Sequence, residues 1–445
     1  MTGRQPTSMH ILELFPAGTR VDERGDLILG GHRAGALAAE YGTPLYVFDE
    51  PTLSARCRAY RDAWAQAYPG SSRVAYAGKA YLNVVLAQII HREGLDLDVV
   101  SGGELFLALQ AGFPPERIHF HGNNKSAAEL ALALDAGVGR LVVDNLDELR
   151  QLDQMTAARG ERVGVWIRVS PGMDAHTHAY NQTGAVDSKF GFLWNGPALR
   201  EVLGRLQAHP HLRLVGLHAH VGSQIWDLSL LAESAGRLVD LAADLGRPIE
   251  ELSPGGGLAV PYTTDDPVVP VSACADRVAA AIVERCRRHR LPLPRVVVEP
   301  GRSLIAQAGV ALYAVGARKS IPGTREYVSL DGGMADNIRP ALYNARYSAL
   351  LANQADRPGA QVVTLAGRFC ESGDVLVRDV ALPPLEPGDL VAIPMVGAYC
   401  LPLASNYNLV PRPAVVLLRP GRTDLIQRRE TWQDLINRDQ PVALS

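Results

Sequence analysis

Between residues 74 and 299 the chain keeps one rhythm: a short apolar run, then a longer stretch whose apolar residues return every three or four positions. The short runs fall at 74–77, 97–100, 118–121, 140–143, 163–169, 214–221, 249–252 and 295–299. Their length and their Val, Ile and Leu content mark buried strands. The periodic stretches at 82–92, 102–111, 126–136, 146–159, 196–208, 228–245 and 271–289 predict helices. Eight strands alternating with helices over about 250 residues describe a parallel (β/α)8 barrel better than an open, doubly wound sheet.

Past Gly309 the rhythm changes. Short runs at 311–319, 326–330, 361–366, 374–377, 390–393 and 414–419 are separated by Gly, Pro and Asp turns, and helical periodicity largely stops. This predicts a second, mostly β C-terminal domain. Ahead of the barrel, 26–29, a Gly30-Gly31 turn, a helical 34–41 and an extended 43–48 read as hairpin, helix and strand, with helical patterning following over 51–68. Chain termini often lie together, so the N-terminal hairpin is expected to join the β domain. The expected division is an N-terminal segment over 1–49, a barrel over 50–309 and a β domain over 310–445.

Composition narrows the function classes. The 445 residues are 47% hydrophobic, enough for a large core and more than one domain. A formal net charge of −3 with both signs well mixed, and no basic tail, argues against a nucleic-acid partner. No apolar run approaches the roughly 18 residues of a membrane span, and the first residues lack a signal-peptide pattern. The five cysteines (57, 274, 286, 370 and 400) form neither a CxxC ligand set nor a disulfide framework. A soluble, cytoplasmic protein is expected.

The chemistry starts at Lys79. Of 44 basic side chains only four are lysines, at 79, 125, 189 and 319. Lys79 follows the apolar run 74–77, at the end of the first strand, where a lysine either snorkels or, once desolvated, offers an amine that attacks an aldehyde. The other strand ends are also polar or glycine-rich: Asp98 to Glu104, His121 to Ser126, Asp144-Asn145, Arg168 with Ser170, His218 to Gln224, Ser253 to Gly257, and Glu299 to Arg302. In a barrel that face carries binding and catalysis. Gly255-Gly256-Gly257 is a plain tight turn or an anion cradle; its place after strand seven, with Gly301-Arg302 after strand eight and Ser223 nearby, favours a phosphate. A phosphate site facing a lysine amine points to pyridoxal 5′-phosphate.

Three further residue groups are open to two readings each. Glu299, after three valines, is a structural ion-pair partner or a carboxylate for the pyridine nitrogen. His218 and His220 share a strand face, as satisfied core histidines or with His220 stacked on the cofactor ring; no third residue with metal-ligand spacing accompanies them, so no metal is expected. Cys370, in Cys370-Glu371-Ser372-Gly373-Asp374, is buried filler or a proton donor to a carbanion.

As an ordered set these pieces closely resemble the diaminopimelate decarboxylases, within the alanine-racemase-like, fold-type III group of pyridoxal phosphate enzymes. The matching stretches are 76–80, 98–104, 121–126, Thr183-Gly184, 187–191, 216–224, 255–257, 299–302, 331–333, 339–343, 370–374 and 404–408, spread over about residues 20 to 420. The resemblance implies that Lys79 is the Schiff-base lysine, His220 the ring-stacking histidine and Glu299 the partner of the pyridine nitrogen. It gives the phosphate to Ser223, Gly256, Gly257, Gly301 and Arg302, with Tyr399 supporting the cofactor from the β domain. Arg302, Arg339, Tyr343, Glu371 and Tyr399 become substrate-binding residues, and Asp98 and Glu104 support the lysine and histidine. Cys370 and Glu371 would reach the site of a neighbouring subunit, making a homodimer with shared active sites. Gly78, Tyr81 and Cys400 depart from the commonest family residues and bear on pocket shape.

The implied reaction decarboxylates meso-2,6-diaminopimelate through a pyridoxal phosphate aldimine, with Cys370 protonating the carbanion to give L-lysine, the last step of lysine biosynthesis. A distal carboxylate calls for cations such as Arg302 and Arg339; ornithine or arginine would call for an acidic pocket. A related basic amino acid or carboxynorspermidine-type decarboxylase, or a non-catalytic cofactor-binding protein, are the alternatives.

Overall fold

The computed structural model describes residues 9–173, 187–207, 209–246 and 248–442. Within it the eight runs close into a parallel barrel. Its strands are β1 (Ser72–Ala77), β2 (Asp96–Val99), β3 (Ile118–Phe120), β4 (Arg140–Val143), β5 (Val163–Ser170), β6 (Leu212–Ala219), β7 (Glu251–Gly255) and β8 (Arg295–Val298). Each pairs with its sequence neighbour, and β8 closes on β1 through Val298 opposite Val74. The expected (β/α)8 barrel with a second, mostly β domain is the fold observed.

The barrel interior is filled, as apolar strands buried on both faces require. Ala75, Val142, Trp166, Val215 and Val297, one from each of five strands, form its buried cluster. Trp166 Nε1 donates to Glu251 Oε2 at 2.9 Å, and Arg140 holds the same carboxylate with bonds of 2.6 and 2.8 Å. Arg140 and Glu251 begin their strands, so a paired polar group lies at the N-terminal end of the barrel, opposite the end that carries the polar strand ends.

Several polar residues after the strands serve the helices that follow. Asn83, Ser101, Ser126 and Asn145 each accept a backbone N–H as N-caps, and Ser126 forms a capping box with Glu129. Lys125 is buried against Glu148 at 2.8 Å and also donates to two backbone carbonyls. Thus part of the polar texture at the strand ends builds the barrel.

The chain divides into two compact units. One is Ser54–Val260 with Val268–Leu304; the other joins Met1–Leu53, Pro261–Pro267 and Ile305–Ser445. The second unit is organised on the long strand Gly309–Ile321. Its first half pairs antiparallel with Leu45–Asp49 and with Leu390–Pro394, its second half with Arg325–Leu330. The strand Leu45–Asp49, wholly buried, also pairs in parallel with Ala414–Arg419. The N-terminal contribution to this sheet is therefore that strand, while the hairpin ahead of it forms a separate three-stranded sheet. Among the described residues no helix is long and apolar enough to cross a membrane.

One buried acid in this unit yields a pH prediction. Asp336 Oδ2 accepts from Tyr313 at 2.5 Å and from Tyr46 at 3.2 Å, and its Oδ1 takes the Gly333 N–H at 2.7 Å. Burial outweighs these bonds and pushes Asp336 up to about 6. Its ordinary value is about 3.9, so between the two the folded chain holds the extra proton, and stability from this group falls as pH rises from 4 through 6. The loss amounts to about 3 kcal/mol. The unfolding free energy of the wild type minus that of Asp336→Asn should therefore drop by roughly this amount between pH 4 and pH 7. A difference that stays constant in chemical denaturation at the two pH values would contradict the assignment.

Candidate active site

Glu299 directly follows β8, where three valines drive the strand and Pro300 ends it. Its backbone N–H bonds Gly255 O at 2.9 Å, and its side chain points into buried surroundings. His218 Nε2 lies 3.0 Å from one carboxylate oxygen, and Ser253 Oγ donates to the other at 2.7 Å. His218 Nδ1 is buried without an acceptor, which assigns the ring proton to Nε2. His121 Nε2 stands 3.6 Å from Glu299 and 3.5 Å from Asp98 Oδ1.

Two carboxylates in one dry cluster cannot both ionise cheaply. Burial and the Glu299 charge hold Asp98 well above the carboxylate range. Burial alone would lift Glu299 too, but His218, with its hydrogen bond and that from Ser253, holds it well below. Burial keeps His121 well below the imidazole range, hence neutral. The cluster thus carries its negative charge on Glu299. His121, His218 and Glu299 have donor atoms within 4.8 Å of one another, a spacing a metal could use and one that the sequence did not reveal. Here His218 and Glu299 face each other as hydrogen-bond partners.

Lys79 lies in the single turn Gly78–Ala80 after β1, half-buried, on the strand hydrogen-bonded to β8. Its charge acts on Asp98, Glu104 and His220. Burial first, and then Lys79, keeps His220 well below the imidazole range. Burial raises Glu104, whose carboxylate accepts the Val100 N–H at 2.7 Å. A Cβ at Gly78 would sit 2.9 Å from Asp98 O, so glycine there permits a close strand approach.

The glycine run follows the same logic. A Cβ on Gly255 or Gly257 would stand 2.6 Å from a backbone oxygen, and both residues have positive φ, 74° and 111°. Only glycine fits, which leaves backbone amides as the surface. Gly256 N approaches His220 Nδ1 at 3.4 Å. Buried Arg302 donates through Nε and Nη2 to Ser223 Oγ at 3.2 and 3.1 Å; Gly301 precedes it. An amine, an amide-lined turn with a guanidinium and a hydroxyl, and a buried ionised carboxylate match the aldehyde, phosphate and pyridine nitrogen of pyridoxal phosphate. Asp98 Oδ1 and His121 Nε2, buried without hydrogen-bond partners, add unspent polar capacity beside them.

The β unit gathers its own set. Arg339, buried in the first turn of the helix Arg339–Tyr343, bonds Tyr347 Oη and lies 4.5 Å from the Tyr262 ring centroid. Its Nε, like Asn337 Nδ2, is a buried donor without a partner. Tyr343 is half-buried, and Tyr399 adopts φ 61°. Cys400 is buried between Tyr347 and Asn337. Cys370 and Glu371 are exposed and meet Tyr407 and Asn408.

Sequence reasoning gave no role to His121, Ser253, Tyr262, Tyr347, Tyr407 or Asn408, and left His218 open. The shared strand face of His218 and His220 was the available signal for His218. Thr183-Gly184 lies outside the described residues.

Comparison with known proteins agrees with this geometry. Residues 54–306 match the model for pyridoxal-dependent decarboxylases, pyridoxal binding domain. The chain is 48% identical to the diaminopimelate decarboxylase of Actinosynnema pretiosum over 96% of its length and 95% of the relative's. It is 44% identical to that of Bacillus subtilis, over 96% and 98%. The diaminopimelate decarboxylase of M. jannaschii in complex with L-lysine superposes with a TM-score of 0.90 at 33% identity, covering 96% of this chain and 98% of that one.

Proposed function

This chain belongs to the diaminopimelate decarboxylase family of pyridoxal-dependent decarboxylases, and from that membership we propose how its residues share the work. The reaction removes carbon dioxide from meso-2,6-diaminopimelate and yields L-lysine, the last step of lysine biosynthesis. The observation that carries this reading is Glu299, buried yet held ionised by His218 and Ser253, on the strand paired with that of Lys79.

When bound, pyridoxal phosphate supplies a carbonyl for amines and a protonated ring that accepts the electron pair left by carbon dioxide. Glu299 holds the ring-nitrogen proton, and its ionisation makes that possible. Ser223, Gly256, Gly257, Gly301 and Arg302 would hold the phosphate, and His220 and Tyr399 would support the ring. Lys79 would provide the amine that anchors the cofactor. Asp98 and Glu104 tune its surroundings.

Arg302, Arg339, Tyr343, Tyr399 and Glu371 bind the substrate. Arg339 suits its distal carboxylate, since its buried Nε is a donor without a partner and a guanidinium pairs with carboxylate through two parallel bonds. Cys370 Sγ gives its proton to the carbon that lost the carboxylate. Cys370 and Glu371 are exposed in the single chain, as residues that complete a neighbouring subunit's site would be; the working form is then a homodimer. All five cysteines are free, in keeping with a reducing cytoplasm.

Product analysis tests this. Cofactor-loaded protein should form lysine and carbon dioxide from the meso isomer and not from LL-diaminopimelate, ornithine or arginine. Turnover of ornithine or arginine alone would overturn the substrate assignment, and no turnover at all would leave a cofactor-binding protein.

A further inference from the structure

Among the five cysteines Cys370 alone is exposed, and its sulfur is nevertheless surrounded by designed contacts. Tyr407 Oη lies 3.4 Å from Sγ and donates to Glu371 Oε1 at 2.6 Å. A phenol has one proton. While Tyr407 gives it to Glu371, its oxygen can accept the Cys370 S–H, for which Asn408 Oδ1 at 3.4 Å is a second acceptor. Asn408 Nδ2 donates to Sγ at 3.2 Å, and Asn408 Oδ1 accepts the Cys370 backbone N–H at 3.3 Å.

The backbone behind these contacts is costly. Asn408 has φ 53° and ψ 25°, and Leu409, which is exposed, has φ 52°. Asparagine tolerates the left-handed region, whereas an exposed leucine there gains nothing by burying its side chain. Such conformations persist where the surrounding structure imposes them, and they cluster at functional sites. The Tyr407 ring also packs on Phe369, their centroids 6.2 Å apart, which fixes its direction.

We propose that Tyr407 and Asn408 are positioning residues for the Cys370 thiol: they aim its proton and hold the sulfur anion left once that proton has gone. This rests on the reading of Cys370 as proton donor. In that step the S–H bond breaks, a C–H bond forms with the carbanion's electron pair, and the charge moves to sulfur. Tyr407 O–H then turns from Glu371 to the thiolate, joining the Asn408 amide, and the thiol regains its proton from water. Hydrogen bonds from Tyr407 and Asn408 lower the thiol below its ordinary value, with Glu371 opposing them. Tyr407 is itself pushed up by Cys370 and Glu371, so it keeps its proton for donation. Tyr407 and Glu371 are the titratable groups that face the thiol.

The test measures the rate at which iodoacetamide alkylates Cys370 in the holoenzyme, followed by peptide mass between pH 6 and 10. The wild-type midpoint should lie below the free-thiol value of about 8.5. Tyr407→Phe should raise the midpoint by about one pH unit, a tenfold change in thiolate fraction. A more basic thiolate is a better nucleophile, so the rate at pH 7 should fall only about threefold. Asn408→Ala should move the midpoint the same way by less. Midpoints of both variants that coincide with the wild type would overturn the proposal, and if Tyr407→Phe does not fold, Asn408→Ala decides alone. Wild-type protein that shows the depressed midpoint but fails to decarboxylate the meso isomer would overturn the functional reading instead.

Discussion

Lys79→Ala is expected to lower kcat by 10⁴-fold or more, roughly the scale of removing a covalent catalyst and equivalent to about 5.5 kcal/mol of barrier. The reason is specific to the amine. Lys79 is half-buried beside Asp98, Glu104 and His220, and it leaves the strand paired with that of Glu299. Lys79→Arg keeps a positive charge there but supplies a guanidinium that does not become a nucleophile. It should be nearly as inactive as the alanine variant. After borohydride reduction the wild-type peptide containing Lys79 should gain the mass of the reduced cofactor, and neither variant should. An arginine variant within tenfold of wild-type activity would show that the lysine acts only as a charge.

Glu299→Gln is expected to lower kcat on the order of 10²–10³-fold, the range for losing one preorganised electrostatic contact. An amide has the size of the carboxylate but not its charge, so it cannot hold a ring-nitrogen proton. Retention of the cofactor should change little, because the glycine run, Arg302 and Ser223 are untouched. The Glu299 charge, one of the causes holding Asp98 up beside burial and Glu104, would also vanish, and that neighbour would ionise more readily. His218→Ala acts through Glu299 and should give a smaller loss of kcat. If Glu299→Gln stays within threefold of wild type under saturating cofactor and substrate, the carboxylate is only a structural partner of His218.

How much of this could be read from residues alone varies along the chain. The strand Arg140–Val143 and the helices Leu146–Arg159 and Val271–His289 fall where periodicity placed them. Strand ends shifted where the backbone overrode composition. The strand expected over 249–252 runs instead over Glu251–Gly255, because Leu252 and Gly255 find partners in Val296 and Val298 despite a Ser-Pro-Gly sequence that reads as a loop. The strand Arg422–Gln427 has no apolar run to announce it, since it is a half-exposed edge.

The site divides in the same way. Lys79, Glu299, the glycines and Cys370 carry their chemistry in their own residue types and positions. What sequence could not supply is who holds them. His218 and Ser253 reach Glu299 across 81 and 46 residues, and Tyr407 reaches Cys370 across 37. Such pairings come from barrel closure and sheet register, and no local pattern encodes them.

The parallel pairing of Leu45–Asp49 with Ala414–Arg419 has a consequence for biosynthesis. Five wholly buried residues wait for a partner strand that lies hundreds of residues further along, with Ala414 opposite Leu45. The barrel, bounded by Ser54 and Leu304, can be complete while that apolar edge is still open. Long-range parallel pairing is slow to form and exposes the chain to aggregation meanwhile. A nascent chain stalled before residue 414 should therefore carry a folded barrel and a sticky, half-built sheet. Chaperone dependence should fall once Ala414–Arg419 has emerged, and removing that strand should cost soluble yield more than it costs barrel structure.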